Sequence, residues 1–468
     1  MTDLLSLNAG GLSARMAARQ VSAAELMRAT LDRIDAVNPA VNAIVSLRDP
    51  DTLLAEAAQA DAAPRGGWLH GIPMAVKDLV ATRGIRTTWG SPLYADHVPQ
   101  ADDLLAQRLR AAGAILIGKT NTPEFGLGSH SYNPVHGVTR NPYDTSRSAG
   151  GSSGGAGAAL AARMVCVADG SDMMGSLRNP AAWNNVYGHR PSHGLVPGDP
   201  VGEMMLHPLS TLGPMARCPQ DLARLLEVLA GPDPLQPLGA DFEAGDLAAE
   251  VAGRRIGWLG DWGGAWPMQP GLLDLAEAAL RVFEDLGCIV EPVAPPFPAE
   301  RLWQSWTRLR AWAVAGKQGA LADTPDTRAA MKPALLWEVE TGRALGNAAI
   351  LEASAIRSDW FRAAARMFGR FDAVVMPSAQ VWPFPADWDW PKDIEGRAMD
   401  TYHRWMECVV PVSLIGLPCT NLPAGFGAAG LPAGIQLAGP RGADRALLQL
   451  AEAYHRATGW PAQRLPEC

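Results

Sequence analysis

An α/β fold, with helices on both faces of one sheet, is predicted by three observations. Amphipathic helical stretches alternate along the chain with short apolar runs of strand length. Composition is that of an ordinary globular protein, 48% hydrophobic and 19% charged. The 468 residues suffice for one large core or for about three domains of ~150 residues.

The first helix opens at Ser22-Ala23-Ala24-Glu25, where serine and glutamate have the spacing of a capping box. Val21, Leu26, Leu31, Ile34 and Val37 then recur at helical intervals until Asn38-Pro39, where the run is expected to stop. Pro73-Met74-Ala75-Val76-Lys77 is a short apolar strand ending on a lone lysine. Residues 102–112 place Leu104, Leu105 and Leu109 at helical spacing, Gly113 ends that helix, and Ala114-Ile115-Leu116-Ile117 follows as a buried strand. A small-residue helix is predicted over 154–163, beginning right after Ser152 and Ser153, with a strand at Met164-Val165-Cys166-Val167-Ala168 behind it. Arg255-Ile256-Gly257-Trp258, then Cys288-Ile289-Val290 after a helix over 271–286, then Asp372-Ala373-Val374-Val375-Met376 continue the alternation. Between about 230 and 400 the texture changes to Pro, Trp and Ala, and eleven of the sixteen tryptophans fall within 258–390. That segment reads as a variable, helical, Trp-rich cap.

Several function classes are excluded at this level. A net charge of -8 without a Lys/Arg cluster argues against nucleic acid as a partner. No run approaches the ~18 apolar residues of a spanning helix. Met1-Thr2-Asp3-Leu4-Leu5 lacks the basic and apolar regions of a secretory leader, so the expected compartment is the cytoplasm. The six cysteines contain no Cys-x-x-Cys pair and read as reduced, mostly buried thiols; neither metal nor cofactor is called for.

Chemistry concentrates in Arg147-Ser148-Ala149-Gly150-Gly151-Ser152-Ser153-Gly154-Gly155. Four glycines around two hydroxyls let main-chain N–H groups crowd a small volume, which suits either an anion nest or a catalytic loop. A second signal is Gly170-Ser171-Asp172-Met173-Met174-Gly175-Ser176-Leu177-Arg178. A serine nucleophile needs a base, and none of the nine histidines sits in a Gly-x-Ser-x-Gly elbow context with an acidic partner. Lys77, on an apolar strand where a solvated lysine is out of place, can serve if burial leaves its amine neutral near pH 7.

These motifs resemble the amidase signature hydrolases. The resemblance extends to Gly118-Lys119-Thr120-Asn121-Thr122-Pro123-Glu124-Phe125, Asn141-Pro142-Tyr143-Asp144, Gly188-His189-Arg190-Pro191-Ser192, Leu212-Gly213-Pro214-Met215-Ala216-Arg217 and the C-terminal Gly430-Leu431-Pro432-Ala433-Gly434-Ile435-Gln436. It covers about 60–220 and 405–455 in the family's order. It implies one large domain over 1–468 with a central twisted mixed sheet, and a Ser–cis-Ser–Lys catalytic set. Ser176 would be the nucleophile, Ser152 the bridging serine on a cis peptide, and Lys77 the base. Main-chain N–H groups of Met173, Met174, Gly175 and Ser176 would form the oxyanion hole. Ser153 would hydrogen-bond the triad, and Asp172 and Arg178 would brace the loops.

Two positions depart from the family pattern: Met174 stands where a glycine is usual, and Ala149 where a proline is common. A methionine at 174 is strained if that position needs positive φ; the oxyanion donors, being main-chain groups, survive if it does not. The expected reaction is hydrolysis of a small-molecule amide, the tryptophans suggesting an apolar or aryl acyl group. The competing reading from a different class is the amidotransferase subunit of a tRNA-dependent, glutamine-using complex. A catalytically silent scaffold and a phosphate-binding loop are weaker alternatives, the latter lacking the Gly-Lys-Ser/Thr ending of a P-loop. A homodimer is compatible with the sequence.

Overall fold

A computed structural model describes residues 4–468. Eight strands form the main sheet and three more form a small sheet beside it. The small sheet contains β1 (Ile44–Val45), β2 (Pro73–Lys77) and β3 (Ile115–Thr120), with β3 in the middle, antiparallel to β1 and parallel to β2. The large sheet contains β4 (Val167–Asp172), β5 (Tyr187–Arg190), β6 (Thr211–Ala216), β7 (Arg255–Trp258), β8 (Ile289–Pro292), β9 (Ala373–Pro377), β10 (Cys419–Phe426) and β11 (Pro432–Ala438). Its order is β8-β7-β9-β11-β10-β5-β6-β4. Strands β8, β7 and β9 run parallel to one another and the remaining pairings are antiparallel, so the sheet is mixed.

Alternation along β9 shows why helices cover both faces. Successive side chains of a strand point to opposite sides. Ala373 and Val375 join a core with Ala276, Ala279, Leu280 and Phe283 of helix α1 (Leu272–Asp285) and with Leu447, Leu448, Ala451 and Tyr454 of helix α2 (Asp444–Thr458). Val374 and Met376 join a second core with Trp303, Trp306 and Leu309 from Ala299–Gln318, and with Ile356, Trp360 and Met367 from Asn347–Phe368. A strand buried on both faces needs a nearly continuous apolar run, which Ala373-Val374-Val375-Met376 supplies.

Four expectations are corrected. The apolar strands do not share one sheet, because β2 and β3 pair with each other in the small one. The segment 230–400 is more than a cap: β7, β8 and β9 come from it and build one side of the large sheet. The strand expected over 164–168 runs instead from Val167 to Asp172, carrying the glycine–serine–aspartate stretch inside the sheet. The capping box at Ser22 and Glu25 forms, but the helix continues through Pro39 to Val41. Pro39 is accommodated within the last turn, where Asn38 Oδ1 accepts the N–H groups of Ala43 and Ile44 at 2.8 and 2.9 Å and turns the chain into β1.

Five of the eleven clustered tryptophans are structural. Trp262, Trp266, Trp303, Trp306 and Trp360 are buried in the second core. The indole N–H of Trp262 donates to the Phe297 carbonyl and that of Trp360 to the Pro411 carbonyl, each at 2.8 Å. Such burial is the usual fate of an indole whose N–H finds a partner.

Candidate active site

Lys77 ends β2, every residue of which is buried. Its Nζ is within hydrogen-bonding distance of Ser152 Oγ at 2.8 Å, Ser153 Oγ at 2.8 Å and Ser171 Oγ at 3.0 Å. Three hydroxyls thus surround it, and among the described residues no carboxylate lies within ion-pair distance. Burial penalises the charged form and draws the Lys77 amine down to about 7, with Asp169 and Asp172 opposing that shift. Ser171 belongs to the second sequence motif, yet nothing in that motif marks it as a partner of the lysine.

The serine loop is fitted without room for side chains. Gly151-Ser152 is a cis peptide bond. A Cβ on Gly155 would lie 2.3 Å from the Asn121 nitrogen and 2.7 Å from the Ala43 carbonyl oxygen, so the first turn of helix Gly154–Ala161 abuts the main chain around β3 and β1. Gly126, at φ 73°, lies against the bridging position, since its Cβ would stand 3.6 Å from Ser152 Oγ.

Ser176 lies two residues before the short helix Arg178–Trp183 and is 7% exposed. Its carbonyl accepts the Ser153 N–H at 3.3 Å, tying the two loops together. Among the described residues, no side chain or main-chain group hydrogen-bonds its hydroxyl, and no histidine hydrogen-bonds Ser152, Ser153 or Ser171. In the loop before it, positive φ falls to Gly175 (79°) and not to Met174, so the methionine carries no left-handed strain. Met174 is buried in the tryptophan-rich core, while Met173 is half-buried.

Asp172 organises this loop. Its carboxylate accepts the Gly175 N–H at 2.8 Å, the Leu177 N–H at 3.3 Å, Arg178 Nε and Nη2 at 2.9 and 3.0 Å, and Arg190 Nη1 at 3.1 Å. Burial alone would raise its pKa; the two guanidiniums outweigh burial and hold it well below the usual carboxylate range. Arg178 reaches on to Gln436 Oε1 at 2.6 Å and Ser413 Oγ at 2.7 Å, joining the loop to the C-terminal strands. One expected oxyanion donor is therefore already engaged: the Gly175 N–H points to Asp172, whereas those of Met173, Met174 and Ser176 meet no acceptor among the described residues.

Residues that motif reading did not single out reach the same loop from 299–402. Arg310 Nη1 lies 3.0 Å from Met173 Sδ, while Arg310 Nε donates to Glu338 at 2.6 Å and Nη2 to the Tyr402 hydroxyl at 2.8 Å. Nothing in the sequence pattern signals them, because a lone arginine on an amphipathic helix looks like surface.

A buried amine, a fan of serine hydroxyls and a loop of main-chain donors are the parts of an amide hydrolase, and comparison with known proteins agrees on that class. The pattern of the Amidase family matches residues 25–448, and the chain belongs to that family, the amidase signature amidohydrolases. It is similar to an acylamidase of Rhodococcus erythropolis, 32% identical over 466 residues, covering 97% of this chain and 96% of that one. It is equally similar to a glutamyl-tRNA(Gln) amidotransferase subunit of Chloroflexus aurantiacus, 33% identical over 499 aligned positions with 99% of each covered. Among solved structures, a bacterial aryl acylamidase of the amidase signature family superposes with a TM-score of 0.89 at 29% identity, covering 98% of this chain and 99% of that one. No described helix is long and apolar enough to cross a membrane.

Proposed function

We propose that the chain hydrolyses a small carboxamide with an apolar or aryl acyl group, giving a carboxylate and ammonia or an amine through an ester on Ser176. The observation that carries this reading is the Lys77 amine, buried, bonded to hydroxyls and drawn down to about 7. Such an amine accepts a proton at neutral pH, which a solvated lysine does not.

In the first half-reaction Ser176 Oγ attacks the amide carbon. Its proton passes to Ser152 Oγ as the Ser152 proton moves to Lys77 Nζ, and the carbonyl electron pair moves onto oxygen. N–H groups of Met173, Met174 and Ser176 stabilise that oxyanion; they need no reorganisation because Asp172 already fixes the loop. Collapse breaks the C–N bond, and the proton returns from Lys77 through Ser152 to the leaving nitrogen. Water then repeats the sequence on the acyl ester. Ser176 must turn its free hydroxyl towards Ser152 for this relay, and apo geometry commonly leaves such a bond unmade.

Apolar acyl groups are favoured by what borders the loop: Met173, Met174, and the Val409 side chain packed at Gly175. The likeness to an acylamidase and an aryl acylamidase supports hydrolysis of an acyl amide. Assaying purified protein on aryl, aliphatic and amino-acid amides tests it; the best substrate is expected among the aryl or apolar acyl amides, and preference for charged acyl groups would overturn it. The second reading, a glutamine-using amidotransferase subunit, rests on the likeness to the Chloroflexus protein. Glutamine hydrolysis in the same panel, exceeding every other amide, would favour it.

Lys77→Met keeps the buried stem and removes the base. Turnover is expected to fall by roughly 10²–10⁴-fold with the fold retained. In the wild type, kcat/KM should rise with pH through about 7, since the neutral amine is the working form above that pH. A variant of near wild-type activity would remove Lys77 from the role.

A further inference from the structure

We propose that Asp169 is a positioning residue for the catalytic base: it anchors the Lys77 main chain and supplies the buried negative charge that governs how readily the Lys77 amine takes up a proton. This rests on the reading of Lys77 as the base.

Asp169 lies on β4 two residues before Ser171, so both side chains leave the strand on the same face, towards Lys77. Its Oδ1 accepts the Lys77 N–H at 3.0 Å. The residue is 0% exposed, and among the described residues its Oδ2 has no hydrogen-bond partner. A buried carboxylate oxygen left unpaired is costly unless nearby charge compensates. Burial raises the Asp169 pKa to about 6, while its bond to the Lys77 N–H and the amines of Lys77 and Lys119 oppose that rise, so the carboxylate is charged at neutral pH.

The charges nearest the base cancel when Lys77 is neutral. Facing Lys77 or its immediate partners are Lys119 from β3, Asp78 just beyond β2, Asp169 and Asp172 on β4, and Arg178 and Arg190 on Asp172. Asp102 and Asp103 also act on Lys119, but Asp102 is paired with Arg110 at 3.0 Å and burial pushes Asp103 up to about 7. His136, 3.7 Å from Asp78, is pushed down to about 4 by burial and adds no charge. With Lys77 neutral, Lys119, Arg178 and Arg190 face Asp78, Asp169 and Asp172, and the cluster is neutral. Asp172 is spoken for by two guanidiniums, and Asp78 by Thr88 through bonds of 2.5 and 3.1 Å. Asp169 is thus the carboxylate left to answer the charge on Lys77. When the serine proton arrives there, the excess positive charge coincides with the negative oxyanion of the tetrahedral intermediate. Without Asp169 the cluster would carry that excess before the reaction began, and Lys77 would resist protonation.

Asp169→Asn keeps an oxygen for the Lys77 N–H and removes the charge. The acid limb of the kcat/KM profile is expected to move down by about one pH unit, the plateau to fall roughly 10-fold because the base is weaker, and KM to stay within about twofold. A purely structural Asp169 would be replaced by asparagine with no movement of the limb, and that result overturns the proposal. Lys119→Met gives the opposite sign, since Asp169 then answers Lys77 alone and the limb moves up; should Asp169→Asn not fold, an unmoved limb in Lys119→Met overturns the proposal by itself. If Lys77→Met keeps the wild-type acid limb, the base assignment fails. If Lys77→Met abolishes turnover while Asp169→Asn leaves the limb in place, only the role given to Asp169 fails.

Discussion

Ser176→Ala is expected to lower amide turnover by roughly 10⁴-fold or more while leaving the melting temperature almost unchanged. The two halves have separate causes. Activity falls because the hydroxyl forms the covalent ester, and no alternative nucleophile occupies its place before helix Arg178–Trp183: Ser152, Ser153 and Ser171 all have their oxygens on Lys77. Stability holds because that hydroxyl makes no hydrogen bond among the described residues, so its removal orphans no partner and costs within about 1 kcal/mol. The link from Ser176 to the serine loop is its carbonyl, which alanine retains. Parallel measurement of turnover on the best amide and of thermal unfolding checks both halves. Acid-quenched wild-type protein should carry the acyl mass on the peptide containing residue 176, and the alanine variant should not. Activity above about one hundredth of wild type would move the nucleophile elsewhere.

The residues of the site are legible because their chemistry is local: glycine-flanked serines and a lysine on an apolar strand look anomalous in any fold. What the sequence withholds is pairing. Apolar strands buried on both faces advertise no partner, so nothing tells Pro73–Lys77 to join a small separate sheet rather than the large one. The strand ending at Asp172 is expected too early because its apolar half, 164–168, outweighs the polar half that enters the sheet. With the strand set three residues later, period-2 alternation puts Asp169 and Ser171 on one face and exposes both as neighbours of Lys77. The tryptophans mislead in the opposite direction. An aromatic-rich segment suggests an aryl pocket, yet Trp262, Trp266, Trp303, Trp306 and Trp360 fill a core between sheet and helices. Arg310, Glu338 and Tyr402 are joined only by long-range folding and carry no local mark.

Asp172→Ala is expected to be the most destabilising single change in the site, costing about 3–5 kcal/mol and removing activity with it. The carboxylate is 0% exposed and offsets two guanidiniums that are equally buried. Removing it leaves Arg178 and Arg190 close together in a low-dielectric interior with uncompensated charge, the costly way of breaking a buried pair. The Gly175 and Leu177 N–H groups lose their acceptor at the same time, which frees the loop that aims the oxyanion donors. Asp172→Asn separates the two effects. An amide oxygen can still cap one N–H, so part of the loop geometry survives, while the charge imbalance remains almost whole. The asparagine variant should therefore recover little stability relative to alanine but more of the activity per folded molecule. Acid acts on the same bond: because the guanidiniums hold the Asp172 pKa well below its unfolded value, its contribution is complete above pH ~4 and is lost only as pH falls towards the depressed folded value. Chemical denaturation at neutral pH, with turnover measured on the folded fraction, tests the ordering. Equal stability of wild type and Asp172→Ala would show that the two arginines find other partners and that the loop is fixed by something other than this carboxylate.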